Sequence, residues 1–212
     1  MNDVVLYDYW RSSAAYRVRI ALNLKAVTYL SVAVDLGKGE QRAAEFLAHN
    51  PQGLVPALAI DGLLLTQSLA IIDYLDAKVD QPPFVSSDPA ARSRTLAQAL
   101  MIVADIHPLN NLRVLGYLRR ELQADEAAVA AWYAHWIRAG FAALEPQAPS
   151  EGLFGGEGPS LADICLVPQM ANARRFAVPL DEFPRLVALD ERLRAIPAFA
   201  AAAPDAVKPG TL

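Results

Sequence analysis

Arg11, Ser12 and Ser13 stand together where a short apolar run, Val4-Val5-Leu6, gives way to a helical pattern. A cation and two hydroxyls at a strand-to-helix junction suit an anion, because the unpaired N–H groups and positive dipole end of the opening helix add to the same field. The two serines also fit plain N-cap residues, whose oxygens accept from first-turn N–H groups. Residue types and spacing leave both readings open. The histidines at 49, 107 and 135 show no metal-ligand spacing, and Cys165 is the single cysteine. That excludes an intrachain disulfide framework and a cysteine zinc cluster, and it fits a reducing compartment.

The elements that must position the Arg-Ser-Ser turn are legible on either side of it. Val4 to Tyr9 reads as a strand, and the helix after it places Val18, Ala21, Leu22 and Lys25 on one stripe. Leu30, Val32 and Val34 alternate with Ser31, Ala33 and Asp35, the period of a half-buried strand. A polar connection over 37–50 holds a short helical piece around Ala43 to Leu47. Leu54 to Ile60 is an apolar strand interrupted by Pro56, where a cis bond would turn the backbone outward. Asp61-Gly62 predicts a hairpin turn into Leu63 to Leu65. Ser68 then caps a helix with Leu69, Ile72, Leu75 and Val79 on its apolar side. A βαβ unit followed by ββα matches a thioredoxin-like domain.

After the proline- and serine-rich stretch 81–89 the strand patterns stop. Asp88-Pro89 opens a helix with an acidic cap and proline at its first position. Pro108 should kink or break that helix near His107. Leu112, Leu115 and Leu118 resume helical spacing, and Val129, Trp132, Trp136, Gly140 and Ala143 mark a further helix whose tryptophan stripe reads as core. Ser160-Leu161-Ala162-Asp163 is a capping-box start to an apolar helix through Met170, with Cys165 an inert buried thiol on it. The expected organisation is an α/β domain over 1–81, a linker over 82–89 and an all-α domain over 90–212.

A formal charge of −4 over 212 residues, with both signs interspersed, gives no basic stripe for nucleic acid and no polybasic membrane patch. No stretch approaches a membrane-spanning run, and Asn2 and Asp3 do not read as the start of a signal peptide. A cytoplasmic protein with a small-molecule partner is expected.

Four strings in this order resemble the cytosolic glutathione transferases: 12–22 (SSAAYRVRIAL), 55–58 (VPAL), 67–71 (QSLAI) and 160–163 (SLAD). The first and third are similar to the zeta class, as are 107–113 (HPLNNLR) and 172–176 (NARRF). The resemblance covers nearly the whole chain. It implies the glutathione transferase fold, glutathione as cofactor, a homodimer and the chemistry of the class, whose members include maleylacetoacetate and maleylpyruvate isomerases. The class motif usually reads Ser-Ser-Cys, and Ala14 stands at the cysteine position here. Any role of that thiol is therefore absent.

The resemblance also distributes roles. Ser12, with Ser13 assisting or alternative, would donate to the glutathione sulfur, whose unperturbed pKa near 8.5 leaves it mostly protonated at neutral pH. Val55 would pair with the cysteinyl backbone, and Gln67 and Ser68 would hold the γ-glutamyl carboxylate. Gln41 or Lys38 would reach the glycyl end. Arg11, Arg113 and Arg175 are the cations for a substrate carboxylate and the charge that develops on it, while His107 and Asn111 would contact glutathione or substrate. Asp163 reads as structural. The implied reaction is cis-trans isomerisation of a cis enedicarbonyl acid, maleylacetoacetate to fumarylacetoacetate, with Leu112 beside Arg113 and the 172–175 string favouring it. Maleylpyruvate isomerisation is the alternative, followed by glutathione conjugation or dehalogenation of α-haloacids. A non-catalytic binding protein is disfavoured by the retained Ser12, Gln67, Ser68 and arginines.

Overall fold

The computed structural model describes residues 4–210. Asn2 and Asp3, read above against a leader, lie outside the described residues. Two compact units emerge: the chain up to Pro83 together with the segment from Ile196 onward, and Phe84–Ala195.

The first unit is built on a four-stranded sheet in the order β2-β1-β3-β4, comprising β1 (Val5–Asp8), β2 (Leu30–Ala33), β3 (Ala57–Ile60) and β4 (Leu63–Thr66). β1 pairs parallel with β2, and the other pairings are antiparallel. Alternation along β1 sends Leu6 and Asp8 into the interior, whereas Tyr7 packs with Phe46, Val34 and Val55. Phe46 comes from α2 (Ala44–His49), reached through a 3₁₀ turn at Glu40–Arg42. The Asp61-Gly62 turn has positive φ at both residues, 51° and 77°, as a tight two-residue hairpin requires. The alternation expected to half-bury β2 fails at Leu30, which is 65 % exposed because it sits on the sheet edge.

Helix α1 (Ser13–Leu24) is buried over most of its length and packs on α3 (Ser68–Lys78). The Val55–Pro56 bond is cis, and β3 begins after the proline rather than running through it. At the end of α1, Lys25 Nζ donates to Asp76 Oδ1 (2.8 Å) and to the carbonyls of Val79 (2.5 Å) and Pro82 (2.6 Å), closing the unit. The C-terminal helices α9 (Pro197–Ala202) and α10 (Pro204–Val207) belong with this unit, not with the helical residues that precede them. Tyr16, Arg19 and Asn23 each donate from α1 to a carbonyl of the returning segment, those of Phe199, Ala202 and Ala198.

The second unit holds α4 (Pro89–Leu100), α5 (Leu112–Arg120), α6 (Glu126–Leu144), α7 (Leu161–Arg175) and α8 (Pro184–Arg194). Asp88 caps α4 as expected, accepting from Ala91 N at 2.8 Å. Phe84, inside the expected linker, is instead 1 % exposed, and its carbonyl accepts from Leu161 N. The helix breaks at His107-Pro108 as expected, giving way to a turn before α5 opens at Leu112. It widens upstream into a π-helix, Met101–Ile106, with His107 N bonded five residues back to Ile102 O. The inner face of α6 is Val129, Tyr133, Ile137, Phe141 and Leu144, one position round from the predicted tryptophan stripe, and Trp132 and Trp136 are only half-buried. Among the described residues no helix is long and apolar enough to cross a membrane.

Candidate functional site

In the first unit Arg11, Ser12, Ser13, Gln67 and Ser68 lie at the openings of two helices. Ser12 is the N-cap of α1, with extended φ/ψ (−69°, 118°), and its Oγ accepts from Ala15 N at 3.2 Å. A hydroxyl can accept and donate at once. The cap therefore leaves the Ser12 proton for a second partner, and the two readings of this serine are compatible. Ser13 is the first helical residue and buried. Arg11 is exposed, its guanidinium carbon 4.3 Å from the centre of the Trp10 ring.

This turn is held from beneath by a pair that the sequence reading did not single out. Arg19 Nη1 donates to both carboxylate oxygens of Asp8, at 2.7 and 2.8 Å, while Nη2 reaches Trp10 O. Burial pushes the Asp8 carboxyl above its ordinary value, against the lowering effect of Arg19. The signal was present: α1 carries no acidic residue and is apolar on nearly every side, and a helix apolar all round is buried, arginines included.

Gln67, not Ser68, is the N-cap of α3. Its φ of 69° lies in the left-handed region, and its Nε2 donates to Gln52 Oε1 at 2.9 Å instead of its side chain capping the helix. Ser68 is the first helical residue, and its buried Oγ accepts from Arg17 Nη1 at 3.4 Å. Two helix N-termini thus present first-turn N–H groups, one beside Ser12 and one beside Ser68, where anions are favoured. Val55 is buried next to the cis proline. Gln41 lies in the Glu40–Arg42 turn, and its Oε1 is buried with no hydrogen-bond partner among the described residues. Lys38 is exposed and 3.8 Å from Asp35.

In the second unit Asn111 is the N-cap of α5, its Oδ1 accepting from Arg113 N at 3.1 Å, and Arg113 itself is exposed. The turn from His107 to Asn111 is fastened to α6: Asn110 Nδ2 donates to Tyr133 O at 3.1 Å and Trp132 Nε1 to Leu109 O at 2.9 Å. The Tyr133 ring stacks on Phe176 at 3.8 Å, and the Arg175 guanidinium carbon lies 5.2 Å from the centre of the Phe176 ring. Burial pushes the Tyr133 phenol far above its ordinary value, keeping it neutral, with the Arg175 charge opposing the shift. Tyr133 therefore links the 107–111 turn to Arg175. Neighbouring Arg174 is committed elsewhere, 2.6 Å from the buried Asp190 carboxylate.

The polar groups fit a thiol tripeptide with two carboxylates: a hydroxyl proton at one helix opening, a second helix opening with no side-chain cap, and a buried Gln41 amide oxygen that, with no partner among the described residues, can accept from a ligand N–H. Among the described residues no group of three or more His, Cys, Asp or Glu side chains is placed to hold a metal ion.

Residues 2–77 match the model of the glutathione S-transferase N-terminal domain. The chain is 50 % identical to a maleylacetoacetate isomerase of Rhizobium meliloti, over 98 % of this chain and 99 % of that protein. Its fold is similar to a holo structure of a bacterial zeta-class maleylpyruvate isomerase, with a TM-score of 0.94 and 45 % identity, covering 98 % of this chain and all of the other. It is also similar to a maleylacetoacetate isomerase of Methylobacterium extorquens solved with malonate and glutathione bound, with a TM-score of 0.92 and 36 % identity over 98 % and 99 % of the two chains.

Proposed function

The chain belongs to the zeta class of the glutathione transferases, and from that premise we propose that it is a glutathione-dependent cis-trans isomerase whose substrate is maleylacetoacetate. The observation that carries this reading is Ser12, which caps α1 through Ala15 N and still has a proton to donate. Glutathione, when bound, supplies the thiolate that adds reversibly to the cis double bond and lets it rotate to trans. The protein's first task is to keep that sulfur ionised. The Ser12 hydroxyl, the opening turn of α1 and Arg11 all favour the anion. A pKa depression of about two units needs roughly 2.7 kcal/mol, within reach of one charge-assisted hydrogen bond and a dipole contribution.

Gln67, Ser68 and the α3 N-terminus take the γ-glutamyl carboxylate, Val55 the cysteinyl backbone, and Gln41 the glycyl end. His107 and Asn111 contact glutathione or substrate. Arg11, Arg113 and Arg175 supply cations for the substrate carboxylate and for the negative charge that develops beside the reacting bond. Their preorganisation lowers the barrier because a fixed charge needs no solvent rearrangement. Since Ala14 replaces a thiol, the reacting sulfur comes from glutathione alone. The thioredoxin-like domain over 1–81, a short linker and the helical residues divide this work between glutathione and substrate. A cytoplasmic homodimer is the form in which we expect it to act.

An absorbance assay with catalytic glutathione and either maleylacetoacetate or maleylpyruvate tests the reading. Faster turnover of maleylacetoacetate is the expected result. Preference for maleylpyruvate reassigns the substrate, and no isomerisation of either overturns the proposal.

A further inference from the structure

We propose that Arg17 is a positioning residue for glutathione, acting through Ser68 to set the affinity of the α3 N-terminus for the γ-glutamyl carboxylate; the inference rests on the glutathione reading above. Arg17 is 1 % exposed, and burying a guanidinium is costly unless it serves a structural or functional partner. Its Nη1 donates to Ser68 Oγ at 3.4 Å, tying α1 to the first residue of α3.

Arg17 stands four residues past Ser13 on α1, and its guanidinium reaches the first residue of α3. It thereby spans from the helix that faces the sulfur to the helix that faces the carboxylate. Ser68 has one proton and two acceptor sites. Accepting from a cation on one side directs that proton away from Arg17, towards an acceptor outside the helix pair. Gln67 contributes no side-chain cap to α3 among the described residues, because its amide is held by Gln52 and its backbone is left-handed. The first-turn N–H groups and the Ser68 hydroxyl are thus offered together to a carboxylate. Lysine would keep the charge but not the planar donor geometry.

The test is calorimetric binding of glutathione and of cysteinylglycine, which lacks the γ-glutamyl group, to the wild type and to Arg17→Met, Arg17→Lys, Ser68→Ala and the double variant Arg17→Met/Ser68→Ala. Removing one charge-assisted hydrogen bond should weaken glutathione binding about tenfold in Arg17→Met and in Ser68→Ala. The double variant should be no weaker than the poorer single one, and cysteinylglycine binding should be unchanged throughout. KM for glutathione should rise at unchanged kcat, whereas mere loss of folded protein lowers kcat and leaves KM alone. If Arg17→Met does not fold, Arg17→Lys carries the test, with a smaller loss confined to glutathione. Unchanged glutathione affinity in the folded variants overturns the inference, as does an equal loss for cysteinylglycine. A wild type that binds no glutathione overturns the function reading and this inference with it.

Discussion

Asp8 at the end of β1 and Arg19 in α1 form an ion pair in which one guanidinium nitrogen serves both carboxylate oxygens, with both side chains buried. The same guanidinium holds Trp10 O and Ala202 O, so the pair fixes the backbone just before Arg11 and the returning C-terminal segment. Its loss should show as instability first and as reduced activity through the turn second.

Arg19→Met should cost about 3–5 kcal/mol in urea unfolding, because it strands a buried carboxylate. Asp8→Asn should show the titration. The folded-state pKa of Asp8 is raised by burial, so the native chain takes up this proton at higher pH than the unfolded one. The stability it contributes is present below the ordinary carboxylate value and declines as pH rises through the folded one. The wild-type advantage over Asp8→Asn should therefore shrink across that window and then level off, and a pH series of unfolding curves measures it.

Ser12→Ala should have two separable effects. Loss of the cap to Ala15 N should destabilise the fold by about 1 kcal/mol. Loss of the donated proton should raise the pKa of bound glutathione by about one to two units, read from thiolate absorbance. Ser12→Thr keeps a hydroxyl and should retain most of both. Full activity in Ser12→Ala would remove the serine from its assigned role.

Arg174 and Arg175 should part company on substitution. Among the described residues, Arg174→Ala leaves buried Asp190 with Arg194 alone, at 3.7 Å, and should cost about 1–2 kcal/mol in thermal or urea unfolding, the partly exposed guanidinium tempering the loss. Arg175→Ala should leave stability nearly unchanged while raising KM for the enedicarbonyl acid. The reverse pattern would exchange their roles.

Asp163 is the residue most clearly legible in advance. Its oxygens accept from Phe154 N, Gly155 N, Ser160 N and Ser160 Oγ at 2.7–3.0 Å. Asparagine would turn a donor towards at least one of these four donors, so Asp163→Asn should cost about 1–3 kcal/mol by calorimetry even though its charge is gone.

The strands, the hairpin turn and the Asp88 cap could be read because each depends on local chemistry. Ser12 and Ser160 likewise announce themselves at helix starts. What escaped depends on which elements meet. Arg17 and Arg19 look like surface cations until α1 is recognised as buried on nearly all sides. On α6, position 132 or 133 and position 136 or 137 fit the helical period equally well, and only packing chose Tyr133 and Ile137. Ser68 looked like a cap because nothing in the sequence marks the left-handed Gln67 before it. The return of α9 to α1 is a long-range choice with no local signal at all.

Gly140 shows how closely one such packing choice is drawn. A Cβ at this position would lie 2.3 Å from Ile106 Cδ1 and 2.4 Å from Cγ1, and Ile106 closes the π-helical segment with 1 % exposure. The isoleucine has little room to yield, since protein interiors are close-packed. Alanine gains helix propensity by about 1 kcal/mol over glycine, but overpacking costs about 1–3 kcal/mol. Gly140→Ala should therefore be neutral to destabilising in urea unfolding. Ile106→Ala alone should cost about 2–5 kcal/mol as a cavity forms. The double variant should be more stable than the sum of the two predicts, because the added methyl fills space the isoleucine vacates. Strict additivity would show that α6 and the π-helix relax apart, and that the glycine is not there to let them touch.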